Sequence, residues 1–83
     1  MLPAYSTEAT ALKLGIYQHY SGKHYEVIGI ARHSESLEEL VIYKALYPPY
    51  DYWVRPLKMF TETVEKQGQV MPRFKLVPDH ENL

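Results

Sequence analysis

His33, Ser34 and Glu35 are the residue types of a hydrolytic triad, set side by side in one stretch. Such a mechanism needs the three side chains to converge on one point. Neighbours on an extended chain point to opposite faces, so adjacency works against that geometry. No Gly-x-Ser-x-Gly elbow accompanies them. The spacing reads instead as a turn shaped by Ser34 and Glu35, with His33 closing a strand. His19 and His24 straddle a turn containing Gly22 and, with His33, are the candidate metal ligands. The chain has no cysteine, and no histidine pair has the helical i, i+4 spacing of a zincin. The expectation is no metal, no cofactor, and histidines that are hydrogen-bonded or exposed.

A denser candidate is the stretch from Tyr50 to Phe60, which holds the single tryptophan, an arginine and a proline stop. Trp53 and Arg55 lie two apart in an extended segment, so they share a face. The expected strand register places Lys44 beside Arg55. Two cations next to a tryptophan suit an anionic or planar ligand, or an interfacial hot spot. The candidate binding set is therefore Trp53, Arg55 and Lys44. The structural alternative pairs Arg55 with a glutamate such as Glu26 and packs Trp53 under an N-terminal helix. Arg73, between Pro72 and Phe74, is a weaker case of the same kind. A second candidate set, His33, Glu35 and Arg55, would serve a small-ligand protein or an enzyme if the fold drew the three around a cleft. RNA binding would use Tyr17, Tyr25 and Trp53 on an open sheet, but a net charge of −1 lends it no support.

These residues must be positioned by a single domain, since the chain has 83 residues. Without cysteine, burial alone stabilises it. Charges of both signs are interspersed, which gives no reason to expect nucleic acid or an anionic membrane as partner. No basic n-region or apolar h-region opens the chain, and no apolar run approaches a membrane span. The expectation is a soluble cytoplasmic protein.

Ser6 to Leu14 reads as a short helix capped by Ser6 or Thr7 and ended by Gly15, with Tyr5, Ala9, Leu12 and Ile16 as its apolar stripe. From there the pattern is β: Ile16 to Tyr20, His24 to His33, Glu39 to Tyr47, and Tyr52 to Arg55 stopped at Pro56. Leu57 to Phe60 reads as one helical turn. Thr61 to Lys66 and Val70 to Val77 read as a hairpin around Gln67-Gly68-Gln69. With His33 facing Glu39 and Tyr47 facing Tyr52, one sheet face carries Tyr25, Val27, Gly29, Ala31 and His33 with Val41, Tyr43, Ala45, Tyr47, Tyr52 and Val54. The other carries Glu26, Ile28, Ile30, Arg32, Leu40, Ile42, Lys44, Leu46, Trp53 and Arg55. That second face is too apolar to stay fully wet, so the N-terminal helix or another copy of the chain is expected to cover it. Val27, Val41, Tyr43, Val54 and Phe74 are the expected core.

Several segments resemble a family of small bacterial proteins known as domain of unknown function 1653. They are Gly15 to Lys23, Tyr25 to Glu35, Glu39 to Tyr43, Leu46-Tyr47, Trp53 to Pro56, Met59-Phe60 and Pro72 to Phe74. The chain departs from the family's pattern at Pro48-Pro49-Tyr50, where a short Gly-Asp-like turn is more usual. The resemblance implies a compact β-rich domain and carries no known activity. The expected architecture is mainly β: a strongly bent antiparallel sheet, or an SH3-like barrel, of five to six strands. A helical extension spans 1–14, the β-rich domain 15–77 and a tail 78–83. The favoured function is a non-enzymatic binding or interaction module, with a protein or small anionic ligand as partner and homodimerisation as an alternative.

Overall fold

The structure is a computed structural model that describes residues 2–78. The tail expected over 78–83 lies, from residue 79 on, outside the described residues. Ser6 caps the first helix, with its backbone extended and its Oγ accepting from the Ala9 amide at 3.1 Å. Helix α1 (Thr7–Ala11) has five residues, too few to persist alone. Burial of Ala9 in the core docks it. It ends earlier than expected: Leu12 is already extended, and Gly15, at φ 130°, opens a strand instead of ending the helix.

Four strands follow: β1 (Gly15–His19), β2 (His24–Arg32), β3 (Glu39–Ala45) and β4 (Tyr52–Pro56). Pro56 stops β4 and leads into α2 (Leu57–Phe60), the single helical turn expected. The last segment forms β5 (Thr63–Lys66), β6 (Gln69–Pro72) and β7 (Phe74–Leu76). Gln67 and Gly68, both at positive φ, make the two-residue hairpin turn between β5 and β6. The long second arm of the expected hairpin is thus two strands. β6 pairs with β5, and after Arg73 the chain leaves that hairpin so that β7 can pair with β1.

The fold is mainly β and antiparallel, with seven strands rather than five or six. The main sheet runs β4-β3-β2-β1-β7, and β5-β6 stands as a separate ribbon. No ladder joins β4 to β7, so the sheet is not closed into a barrel. It is nevertheless strongly curled. Flat strands about 4.8 Å apart would separate the two edges of five strands by roughly 19 Å. Yet the Arg55 guanidinium, from β4, lies 5.8 Å from the centre of the Phe74 ring in β7.

Inside the curl sit Ala9, Tyr17, Val27, Val41, Tyr43, Leu57, Phe60 and Phe74. Val27, Val41, Tyr43 and Phe74 are core residues as expected, whereas Val54 is 60% exposed. Two register differences explain that and move the other residues. First, Ile28 is the extra residue of a β-bulge between Val27 and Gly29. Beyond it Arg32, not His33, faces Glu39, and Ile30 turns inward against the core. Second, β4 pairs with β3 as Val41↔Arg55 and Tyr43↔Trp53. That is three residues from the expected register, an odd number, so the faces of β4 are exchanged. Trp53 and Arg55 stand on the inner face, while Val54, Tyr52 and Lys44 are outside. The helix α1 also packs on the inner face and does not cover the mixed outer one.

Candidate functional site

The inner face of the curl becomes polar towards one end, where β1, β2, β4 and the link before β7 each contribute a side chain. Phe74 forms its floor. Around that ring stand His19 at 4.9 Å, Tyr43 at 5.4 Å, Tyr25 at 5.6 Å and Arg55 at 5.8 Å. Beneath it Phe60 stacks at 4.2 Å, only 7° from parallel. The floor is therefore rigid and apolar, and the polar atoms are carried at its rim.

Arg55 donates from Nε to the Tyr43 hydroxyl at 3.3 Å. That bond occupies Nε, and among the described residues neither Nη group has a hydrogen-bond partner. Among the described residues Arg55 has no carboxylate partner; the one ion pair is Arg73 to Glu62 at 2.6 Å. Glu26, the expected partner, lies opposite Lys44 on the outer face. Lys44 sits 5.5 Å from the Tyr52 ring there and takes no part in the inner site. Trp53 remains beside Arg55 on the inner face, at the sheet edge and 51% exposed.

His19 is held by its own turn, since its Nδ1 accepts from the Ser21 amide at 3.2 Å. This acceptor role leaves the imidazole proton on Nε2. Burial holds the imidazole below the usual histidine range, and the nearby Arg55 and Arg73 charges push the same way. His19 is thus a neutral donor at pH 7. Tyr25 and Tyr47 share one hydrogen bond between their hydroxyls at 2.5 Å. Burial, followed by that bond, pushes the Tyr25 phenol up to about 12, so it stays protonated. Lys23 lies 4.6 Å from the Tyr47 ring. Arg73 Nε is buried with no hydrogen-bond partner among the described residues. Apart from Glu62, already bound to Arg73, the groups named here are cations or neutral donors.

His33 and Glu35 are elsewhere. His33 Nδ1 accepts from the Glu35 and Ser36 amides, and the Glu35 carboxylate accepts from Ser34. Both residues are exposed and bonded within the β2–β3 turn, and no hydrogen bond links them to Arg55. The triad-like stretch is a turn. Among the described residues no group of three or more His, Asp or Glu could hold a metal ion. Tyr17, considered as an RNA-stacking residue, is buried and donates to the Lys13 carbonyl at 2.7 Å. Two cavities of the fold also lie away from the Arg55 rim. One of about 550 Å³ is lined by Ser6, Glu8, Glu38, Glu39, Leu57, Lys58 and Thr61, and one of about 210 Å³ by residues around Lys75. The site at Arg55 is an open platform.

A family model described as a protein of unknown function, DUF1653, matches residues 15–76. The chain belongs to the DUF1653 family. A crystal structure of a DUF1653 protein from Bordetella bronchiseptica is similar to it, with a TM-score of 0.78 and 35% identity. That likeness covers 83% of this chain and 91% of the other. Among curated proteins none matches. Every platform residue, from His19 to Phe74, falls inside the DUF1653 span, whereas α1 and Ser6 fall outside it. In this DUF1653 chain the platform takes in residues that a search for charged or catalytic spacing passes over. Tyr43, Tyr47 and Phe74 carry no charge and look like core. His19, by its spacing from His24, reads as a metal-ligand candidate. The available signal was alternation: Tyr17 and His19, Tyr25 and Val27, and Tyr43 and Ala45 each repeat every second residue on one face.

Proposed function

We propose that this protein is a non-enzymatic binding module whose inner platform recognises an anionic group on its partner. Arg55 is the residue on which this rests. Its guanidinium is half-buried on an aromatic floor, hydrogen-bonded to Tyr43, and among the described residues has no carboxylate partner. A desolvated cation without a counter-charge is costly unless something completes it. Its free Nη edge fits an oxyanion bidentately. Trp53, next to it and half-exposed, offers a flat surface for the rest of the ligand. His19 Nδ1 lies 2.8 Å from the exposed Ser21 hydroxyl, but among the described residues no carboxylate is hydrogen-bonded to that histidine to complete an acid–base–nucleophile set, which favours binding over catalysis.

The test is capture from native lysate by wild type and Arg55→Ala in parallel, with protein, nucleic acid and small molecules all identified. A component retained by wild type and lost by a folded Arg55→Ala variant is the expected result. Identical retention by both would place the site elsewhere.

A further inference from the structure

The platform's donors also restrict what kind of anion it takes. We infer that the bound group is a terminal phosphoryl group, held by Arg55, by the Nε2–H of His19, and by the free phenolic proton of the Tyr25–Tyr47 pair. The inference deepens the binding role proposed above and rests on it.

Three observations carry it. First, every available group donates. Arg55 presents its Nη atoms, since Nε is used by Tyr43. His19 presents Nε2–H, since Nδ1 is occupied by Ser21. The two tyrosine hydroxyls make one bond between them, so one of the two phenolic protons remains to donate. A set of donors alone matches a group that only accepts, which is an ionised oxyanion. Second, the donors come from different strands around one floor: β1, β2 and β4 about the Phe74 ring. A carboxylate has two oxygens in one plane, and the Arg55 fork alone can pair with both. A terminal phosphoryl group has three oxygens in a tripod, and a donor from each of three directions suits that shape. Third, among the described residues named here the local charge is positive. Arg55, Arg73 and Lys23 stand around the platform against Glu62, which is already paired with Arg73. That balance suits a group carrying up to two negative charges.

The experiment uses the full chain and four probes: phenyl phosphate, methyl phenyl phosphate, benzoate and inorganic phosphate. Binding is read by calorimetry and by emission of the single tryptophan, Trp53, beside the site. Phenyl phosphate is expected to bind saturably and at least about tenfold tighter than benzoate. Arg55→Ala and His19→Leu should each weaken it about tenfold or more, the scale of one hydrogen bond to a charged group. Arg55→Lys keeps the charge but loses the fork, and should fall between Arg55→Ala and wild type. His19→Gln places an amide donor near Nε2 and should restore most of the loss, which a merely structural role would not. Lys44→Ala, on the outer face, should change nothing. Thermal unfolding of each variant checks that it is folded.

Benzoate binding as tightly as phenyl phosphate would overturn the phosphoryl assignment and leave the anion-binding proposal standing. Equal binding of the methyl ester would show that the group is an internal phosphodiester, and would overturn the terminal one. Inorganic phosphate binding without any gain from the phenyl ring would support the anion site and remove Trp53 from it. Failure of every probe, or Arg55→Ala binding like wild type, would overturn both proposals together.

Discussion

Phe60 is 1% exposed and stands between the helical turn after β4 and the floor of the platform. Replacing it with alanine would remove a whole ring from a closed interior, at about 3–5 kcal/mol. A chain of 83 residues has roughly 4–12 kcal/mol of stability in all. Phe60→Ala would therefore leave little folded protein to measure, and leucine is the better probe. The informative quantity is the coupling between Phe60→Leu and Phe74→Leu. The two rings are stacked at 4.2 Å, and such a pair contributes about 0.5–1.5 kcal/mol beyond the area it buries. Phe60 also meets Tyr17 at 5.4 Å and Tyr43 at 5.6 Å. The single substitution thus loses three aromatic contacts, while the cycle isolates one. Urea unfolding of wild type, both single variants and the double variant should give a coupling near 1 kcal/mol. At a slope of about 1 kcal/mol per molar urea, that is a midpoint displacement of about 1 M from additivity. Additivity to within about 0.3 kcal/mol would refute the stacked pair, and with it the support of the platform floor by α2.

Val41, fully buried, and Val54, 60% exposed, test the β4 register: Val41→Ala should cost about 1–3 kcal/mol, and Val54→Thr less than about 0.5 kcal/mol. Comparable losses at both sites in thermal unfolding would restore the register that places Val54 inside. Ser6→Ala removes the cap of α1 and the hydroxyl bond to Glu39 at 2.7 Å, and should lower stability by about 0.5–2 kcal/mol. Acid should weaken the fold in two steps. His19 titrates below the ordinary imidazole value of 6.5, so its contribution is full above that value and is lost as pH falls below it. Glu39, held below the usual carboxylate range first by the Ser6 hydroxyl and then by the Ser6 amide, loses its contribution at lower pH still. Stability that rose between pH 7 and pH 5 would contradict the first step, and His19→Gln should flatten it.

Much of the fold is legible because the punctuation is local. Pro56 ends its strand with no amide to donate and a fixed φ, so α2 is readable to the residue. Gly22 and Gln67-Gly68 mark hairpin turns by their tolerance of positive φ. What escapes is long-range register. Val27-Ile28-Gly29-Ile30-Ala31 alternates as well without a bulge as with one, and only the pairing with β3 shows that Ile28 is the extra residue. The connection from Ala45 to Tyr52 contains two prolines that look like a tight corner. In the fold the Ala45 amide already reaches the Asp51 carbonyl at 2.9 Å, which sets β4 three residues away from the register expected. That shift separates Lys44 from Arg55 while keeping Trp53 and Arg55 together, because a spacing of two survives any register. The platform is a product of curvature. Nothing in the spacing of His19, Arg55 and Phe74 announces that strands at opposite edges of one sheet will meet.

The seam where they meet is spanned by an arginine and a ring, without a backbone ladder. A ladder opens by breaking amide hydrogen bonds, and hydrogen exchange records the event. This seam opens by side-chain motion alone, so exchange in β4 and β7 is blind to it. The recorder is the Phe74 ring, which can flip only when Phe60 below and Arg55 above give it room. Its flip rate measures how often the sheet breathes. A ligand that fastens Arg55 should slow that rate while the amides of the sheet exchange as before.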